Sequence, residues 1–141
     1  MSFPEVESLL PHRATLLRLD ALTSWSEEQV EGRFEVKEGD PFVRDGLLRE
    51  EALIETLAQT VAAGQGYIGY KDGLEPSLGF LTGVEDFSYL ATIPQGATIA
   101  TKATLDAAKG PMRIMLCEAH VDGQIVAKGL LKFFLQENKQ A

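Results

Sequence analysis

One long, mostly apolar helical segment sits inside a chain that otherwise alternates like β-strands, and this pairing narrows the possible folds most. The segment runs from about Leu48 to Ala63, with Glu50 and Glu51 in its first turn, where the helix dipole favours negative charge. Asp45 is expected to cap it. Turning each residue by ~100° gathers Leu47, Ile54, Leu57, Ala58, Val61 and Ala62 into one broad apolar arc. Arg49, Thr56 and Thr60 fall on the narrow opposite side. A helix with so little polar face is expected to be buried on most sides. Gly64, Gly66 and Gly69 are expected to end it.

The rest of the chain reads as strands. Residues 5–9 suit one short helical turn before Pro11. From Thr15 to Trp25 the pattern is apolar and β-permissive, and Val30, Gly32, Phe34 and Val36 then alternate with charged neighbours. Glu38-Gly39-Asp40-Pro41 marks a turn. After the helix, 78–87, 97–105, 112–121 and 125–135 are expected strands, and Asp122-Gly123 between the last two signals a hairpin. The order strand, strand, helix, four strands predicts an α+β fold: an antiparallel sheet of about six strands wrapped around one long central helix.

Several function classes drop out on composition. The formal net charge of −8 lacks the basic field of a general nucleic-acid binder. No apolar run approaches the ~20 residues of a membrane span, and the first residues do not read as a signal peptide. A cytoplasmic protein of one domain, residues 1–141, is the expectation. The single cysteine, Cys117, forms no internal disulfide, and two distant histidines without helical spacing suit no metal site. Neither a phosphate-binding loop nor a Gly-x-Ser-x-Gly nucleophile motif is present, and no cofactor is expected.

Glu55 is the residue that points to chemistry. It falls inside the apolar arc near Leu48, Ala58 and Ala62, with Gln59 one turn later on the same side. A carboxylate there loses hydration and is expected to titrate above its usual range, which suits a general acid or base. The bland alternative is a structural glutamate bonded to backbone, or an exposed one. His120 on a strand is expected to be exposed, Cys117 buried and inert, and Tyr67 and Tyr70 to pack at the helix end.

These residues also resemble a family. Leu9-Leu10-Pro11-His12-Arg13, Glu55-Thr-Leu-Ala58-Gln59, Gly79-Phe80-Leu81-Thr82-Gly83-Val84, Pro94-Gln95-Gly96 and Val121-Asp122-Gly123 are similar, in order, to segments of the bacterial (3R)-hydroxyacyl-acyl-carrier-protein dehydratases. The resemblance covers nearly the whole chain, and it comes nearest to the short dehydratase-like proteins of aryl-polyene systems. It implies the hotdog fold, usually paired into a dimer. In the standard dehydratases a Gly-His-Phe-Pro loop before the helix supplies a histidine that works with the helix glutamate of the other subunit. Glu55 matches that glutamate, whereas the shortened stretch from Pro41 to Gly46 contains no histidine.

What the resemblance implies is therefore an acyl-thioester protein with one part missing. Its ligand is an acyl thioester of acyl carrier protein or coenzyme A, and its partner a second hotdog subunit, identical or related. Glu55 is the expected acid, and backbone N–H groups near Gly46 and Leu48 are expected to face the thioester oxygen. Ala58, Gln59 and Ala62 are expected to line the acyl space. His12 is the candidate base within the chain, although with Arg13 it is expected mainly to fix the turn into the first strand. Arg13, Arg44, Arg49 and Arg113 are the basic groups from which an acidic carrier could find a docking patch. Two alternatives stay open, a non-catalytic partner of a complete dehydratase and a thioester hydrolase.

Overall fold

The computed structural model describes residues 2–11, 16–73 and 79–136. A short 3-10 turn at Val6–Ser8 precedes β1 (Ala21–Trp25) and β2 (Gln29–Glu35). Two very short strands, β3 (Val43–Arg44) and β4 (Leu47–Leu48), lead into α1 (Glu50–Asp72). Then come β5 (Gly79–Tyr89), β6 (Thr98–Lys109), β7 (Met112–Val121) and β8 (Gln124–Leu135). The six longer strands form one antiparallel sheet in the order β1-β2-β6-β7-β8-β5. Packed against the single long helix, this sheet makes the hotdog arrangement.

Alternation along the strands builds the core. Val30, Gly32 and Phe34 on β2, Ile99, Thr101 and Ala103 on β6, and Met115, Cys117 and Ala119 on β7 are buried. They meet Leu53, Leu57 and Val61 of α1, which burial stabilises by roughly 1.5–3 kcal/mol for each large apolar side chain.

The helix differs from its sequence pattern in three ways. It runs nine residues past Ala63 to Asp72, and Gly73 ends it with a left-handed φ of 69°. Gly64, Gly66 and Gly69 are buried inside it: a Cβ on Gly66 would collide with the Leu9 carbonyl, and one on Gly64 would press on the Val30 side chain. Thr56 and Thr60 are buried instead of facing outward. Their hydroxyls donate to the carbonyls of Ala52 (3.0 Å) and Thr56 (2.9 Å), and Thr60 also meets the Thr101 hydroxyl at 2.7 Å. Satisfied in this way, they enter the core without the usual penalty for a buried polar group.

Asp45 is not the cap. Arg49 occupies that position with no capping side chain, and Asp45 (φ 53°) and Gly46 (φ 78°) form the tight turn between β3 and β4. Asp122 (φ 52°) and Gly123 (φ 79°) make the same kind of turn between β7 and β8, as expected. The segment 16–20 is not strand either, since the Leu16 carbonyl and Arg18 N–H bond to a helix side chain.

Candidate active site

Glu55 projects from the face of α1 that the sheet leaves open. Its surroundings correct one expectation: the residue is exposed within a single chain, although it stands beside half-buried Ala58 and Ala62. Helical spacing brings Glu55, Ala58, Gln59 and Ala62 to the wall of one groove of about 190 Å³. The far wall comes from Gly79, Phe80 and Leu81 at the start of β5, and from Phe133 on β8. Two alanines and a glycine leave the space, and two aromatic residues help make the wall apolar.

Gln59 fixes the carboxylate. The residue is buried, and its Oε1 accepts the Arg18 backbone N–H at 2.6 Å. Its Nε2 donates both protons, one to the Leu16 carbonyl (2.7 Å) and one to Glu55 Oε1 (2.8 Å). With both amide ends held, the glutamine cannot turn over, so it presents a donor to Glu55 at all times.

Arg18 extends this network, and sequence reasoning missed it. Its guanidinium is buried, lies 4.5 Å from the Phe34 ring centre and 4.9 Å from that of Phe42, and donates to Asp40 Oδ1 at 2.7 Å and Oδ2 at 2.9 Å. Asp40 also accepts the Phe42 N–H at 2.9 Å. The turn that leads into β3 is thus clamped to the strip of chain that holds Gln59. An arginine set between Leu17 and Leu19, upstream of an Asp-Pro turn, was the available signal.

The remaining expected site residues lie elsewhere. Gly46 sits exposed in its turn, with its carbonyl accepting the Gln95 N–H at 2.9 Å. Leu48 is buried in the core and its N–H donates to the Ile93 carbonyl at 2.8 Å, so that amide is not free to polarise a thioester. Arg49 N–H is likewise engaged by the Phe42 carbonyl at 2.9 Å. Neither Gly46 nor Leu48 lines the groove. His12 and Arg13 lie outside the described residues.

Other candidate groups take no visible part. Burial pushes the Cys117 thiol up to about 12, so it stays protonated and unreactive. His120 is half-buried on β7. Tyr67 packs edge-on against Phe3 and Trp25, whereas Tyr70 is exposed. Burial, with the nearby Glu50 carboxylate, raises the pKa of Tyr89, whose hydroxyl donates to the Leu48 carbonyl at 3.3 Å. Arg44 and Arg49 are exposed near the start of α1, while Arg113 turns back onto the Gly110 and Met112 carbonyls. Among the described residues no cluster suits a metal ion, and no helix is long and apolar enough to cross a membrane.

The fold is that of the dehydratase-like hotdog class. The chain belongs to the ApeP-like family within it: the family model, described as ApeP dehydratase, matches residues 4–141. Among curated relatives, the 3-hydroxyacyl-[acyl-carrier-protein] dehydratase FabZ of Streptococcus pyogenes is 27% identical over 142 residues, covering 94% of this chain and 97% of that protein. The dehydratase heterocomplex ApeI:P from Xenorhabdus doucetiae contains a chain of similar fold, with a TM-score of 0.87 and 22% identity over 96% of this chain and 93% of that one. A hypothetical thioesterase from Streptococcus pneumoniae, solved with coenzyme A, shares the fold at a TM-score of 0.68 and 13% identity, over 84% of this chain and 87% of that one.

Proposed function

We propose that this chain is one half of a 3-hydroxyacyl thioester dehydratase, contributing Glu55 to a site that a histidine from a second hotdog subunit completes. The observation that carries this reading is the carboxylate held by buried Gln59 at the wall of a mostly apolar groove. Dehydration needs a base to take the C2 proton and an acid to protonate the departing C3 hydroxyl. Glu55, in its protonated form, gives its proton to that hydroxyl, which leaves as water. The partner's histidine takes the C2 proton, and a 2-enoyl thioester remains. The acyl chain lies along Ala58 and Ala62.

The position of the groove supports a shared site. β5 is an edge strand whose outer side is unpaired among the described residues, and Phe80, Leu81 and Val84 on it are exposed. Edges of this kind invite pairing with another strand. Because Gly79–Leu81 also forms a groove wall, a subunit paired there would bring its own loops beside Glu55. The acyl-carrier-protein thioester is the substrate in this reading, and the setting is cytoplasmic. Its carrier would dock near exposed Arg44 and Arg49.

The test is product analysis by mass. The purified chain, alone and with a histidine-bearing hotdog dehydratase subunit, is incubated with 3-hydroxyacyl-carrier thioesters. Loss of 18 mass units, about one water, in the mixture alone supports the proposal. Turnover by the chain alone that disappears in His12→Ala would assign the base to His12 instead. Hydrolysis to the free acid would assign a hydrolase.

A further inference from the structure

The outward face of the sheet carries an apolar strip that the described residues leave uncovered. On β7 and β8, Met115, Cys117, Leu131 and Phe133 are buried towards the helix, so by strand alternation the residues between them face out. The register sets Leu116 opposite Leu130 and Met112 opposite Phe134, with Ile114 opposite Lys132 between them, and the Lys132 ammonium reaches aside to Glu85 on β5 at 2.6 Å. Leu116 and Phe134 are exposed, and Met112, Ile114, Leu130 and Lys132 are half-buried. Beside this strip a row of charge crosses the sheet. Lys128 on β8 lies opposite Glu118 on β7, Glu118 opposite Lys102 on β6, and Lys102 opposite Glu31 on β2.

We infer that this face docks a second copy of this chain, sheet against sheet. Consider a two-fold axis running along the strands, midway between β7 and β8. It lays β7 of one copy over β8 of the other. Leu116 then covers Leu130 of the second copy and Met112 covers Phe134, while Ile114 lies on the aliphatic stem of Lys132, whose ammonium is turned aside to Glu85. The same rotation sets Glu118 over Lys128 of the second copy, and Lys128 over Glu118. Because the row alternates in sign, turning it end for end brings each of these charges onto its opposite. A two-fold contact demands such a self-complementary patch. Cross-strand pairs such as Lys128 with Glu118 and Leu116 with Leu130 also help a lone sheet, but only a covering sheet takes the exposed Leu116 and Phe134 out of water. Packed sheets lie ~10 Å apart with apolar centres and polar rims, as this face provides.

The contact is independent of the catalytic reading, since Glu55 and its groove lie on the helix side of the sheet. Sedimentation equilibrium of the intact protein reads it directly. The wild type is expected at an even multiple of the chain mass, and Leu116→Asp is expected to halve that mass with an unchanged circular dichroism spectrum. A monomeric wild type, or a mass untouched by Leu116→Asp, overturns the inference. Two charge variants keep it testable even if Leu116→Asp folds poorly. Glu118→Lys and Lys128→Glu each place like charges in the row, so each alone is expected at half the wild-type mass. An equimolar mixture restores opposite charges across the axis and is expected to recover the full mass. If either variant alone keeps the full mass, or the mixture stays at half, the face does not fit a second copy.

Discussion

A buried amide decides how Glu55 stands. Gln59 spends both ends on the segment 16–18 and on the carboxylate, so replacing it removes three hydrogen bonds together. Gln59→Leu leaves the buried Arg18 N–H without its partner, at a cost of roughly 1–3 kcal/mol, whereas the carbonyl of exposed Leu16 turns to water. Urea denaturation should show that loss, with activity of the assembled enzyme falling as well. Arg18→Ala should be harsher, by about 3–5 kcal/mol, because it strands the Asp40 carboxylate in a site almost closed to water. Cys117 gives a prediction in pH. Its thiol is held near 12 in the fold against an ordinary value of 9.0, so between these values the unfolded chain binds fewer protons than the folded one. Stability should therefore be intact below about pH 9 and fall as pH rises through that window. Denaturant midpoints measured across alkaline pH should show this fall, and Cys117→Ala should flatten it.

Within the elements, packing overrules local preference where the two disagree. The helix should gain from alanine at Gly66 on propensity alone, by roughly 1 kcal/mol. Here the added methyl meets the Leu9 carbonyl, so Gly66→Ala should instead lower the melting temperature, by an amount corresponding to about 1–3 kcal/mol. The same conflict explains why the helix end was not legible. Three glycines read as a stop, and only their burial, Gly66 against the Leu9 backbone and Gly64 against the Val30 side chain, shows the helix running through them. The threonines misread for a related reason, because bonds to the preceding turn remove the cost that should have kept them outside. The last two strands, by contrast, were legible almost to the residue, since alternation along them follows from one buried face, whereas the first strand starts only at Ala21 and β6 runs on to Lys109. Asp122-Gly123 stood out because long strands flank it. Asp45-Gly46 makes the same turn between strands of two residues each, too short to leave a pattern.

At the scale of the whole molecule, the groove was half legible. Glu55, Ala58, Gln59 and Ala62 share a helical face by spacing, and the structure brings these four together. The wall from β5 and the Arg18–Asp40 clamp were hidden, since both join residues far apart in sequence with no shared periodicity. Leu48 was misplaced because nothing local shows that its amide is already bonded to Ile93. If a second subunit pairs along β5, the outward amides of Gly79–Tyr89 should exchange slowly in the assembled complex and fast in the isolated chain, which hydrogen exchange reads strand by strand. The central claim is that this chain gives a carboxylate to a site it does not complete alone. The most direct measurement is turnover of a 3-hydroxyacyl-carrier thioester by the complex with a histidine-bearing subunit, comparing wild type with Glu55→Gln. The account predicts a fall of roughly 100-fold or more, with the melting temperature of the complex nearly unchanged. Undiminished turnover in Glu55→Gln would contradict it.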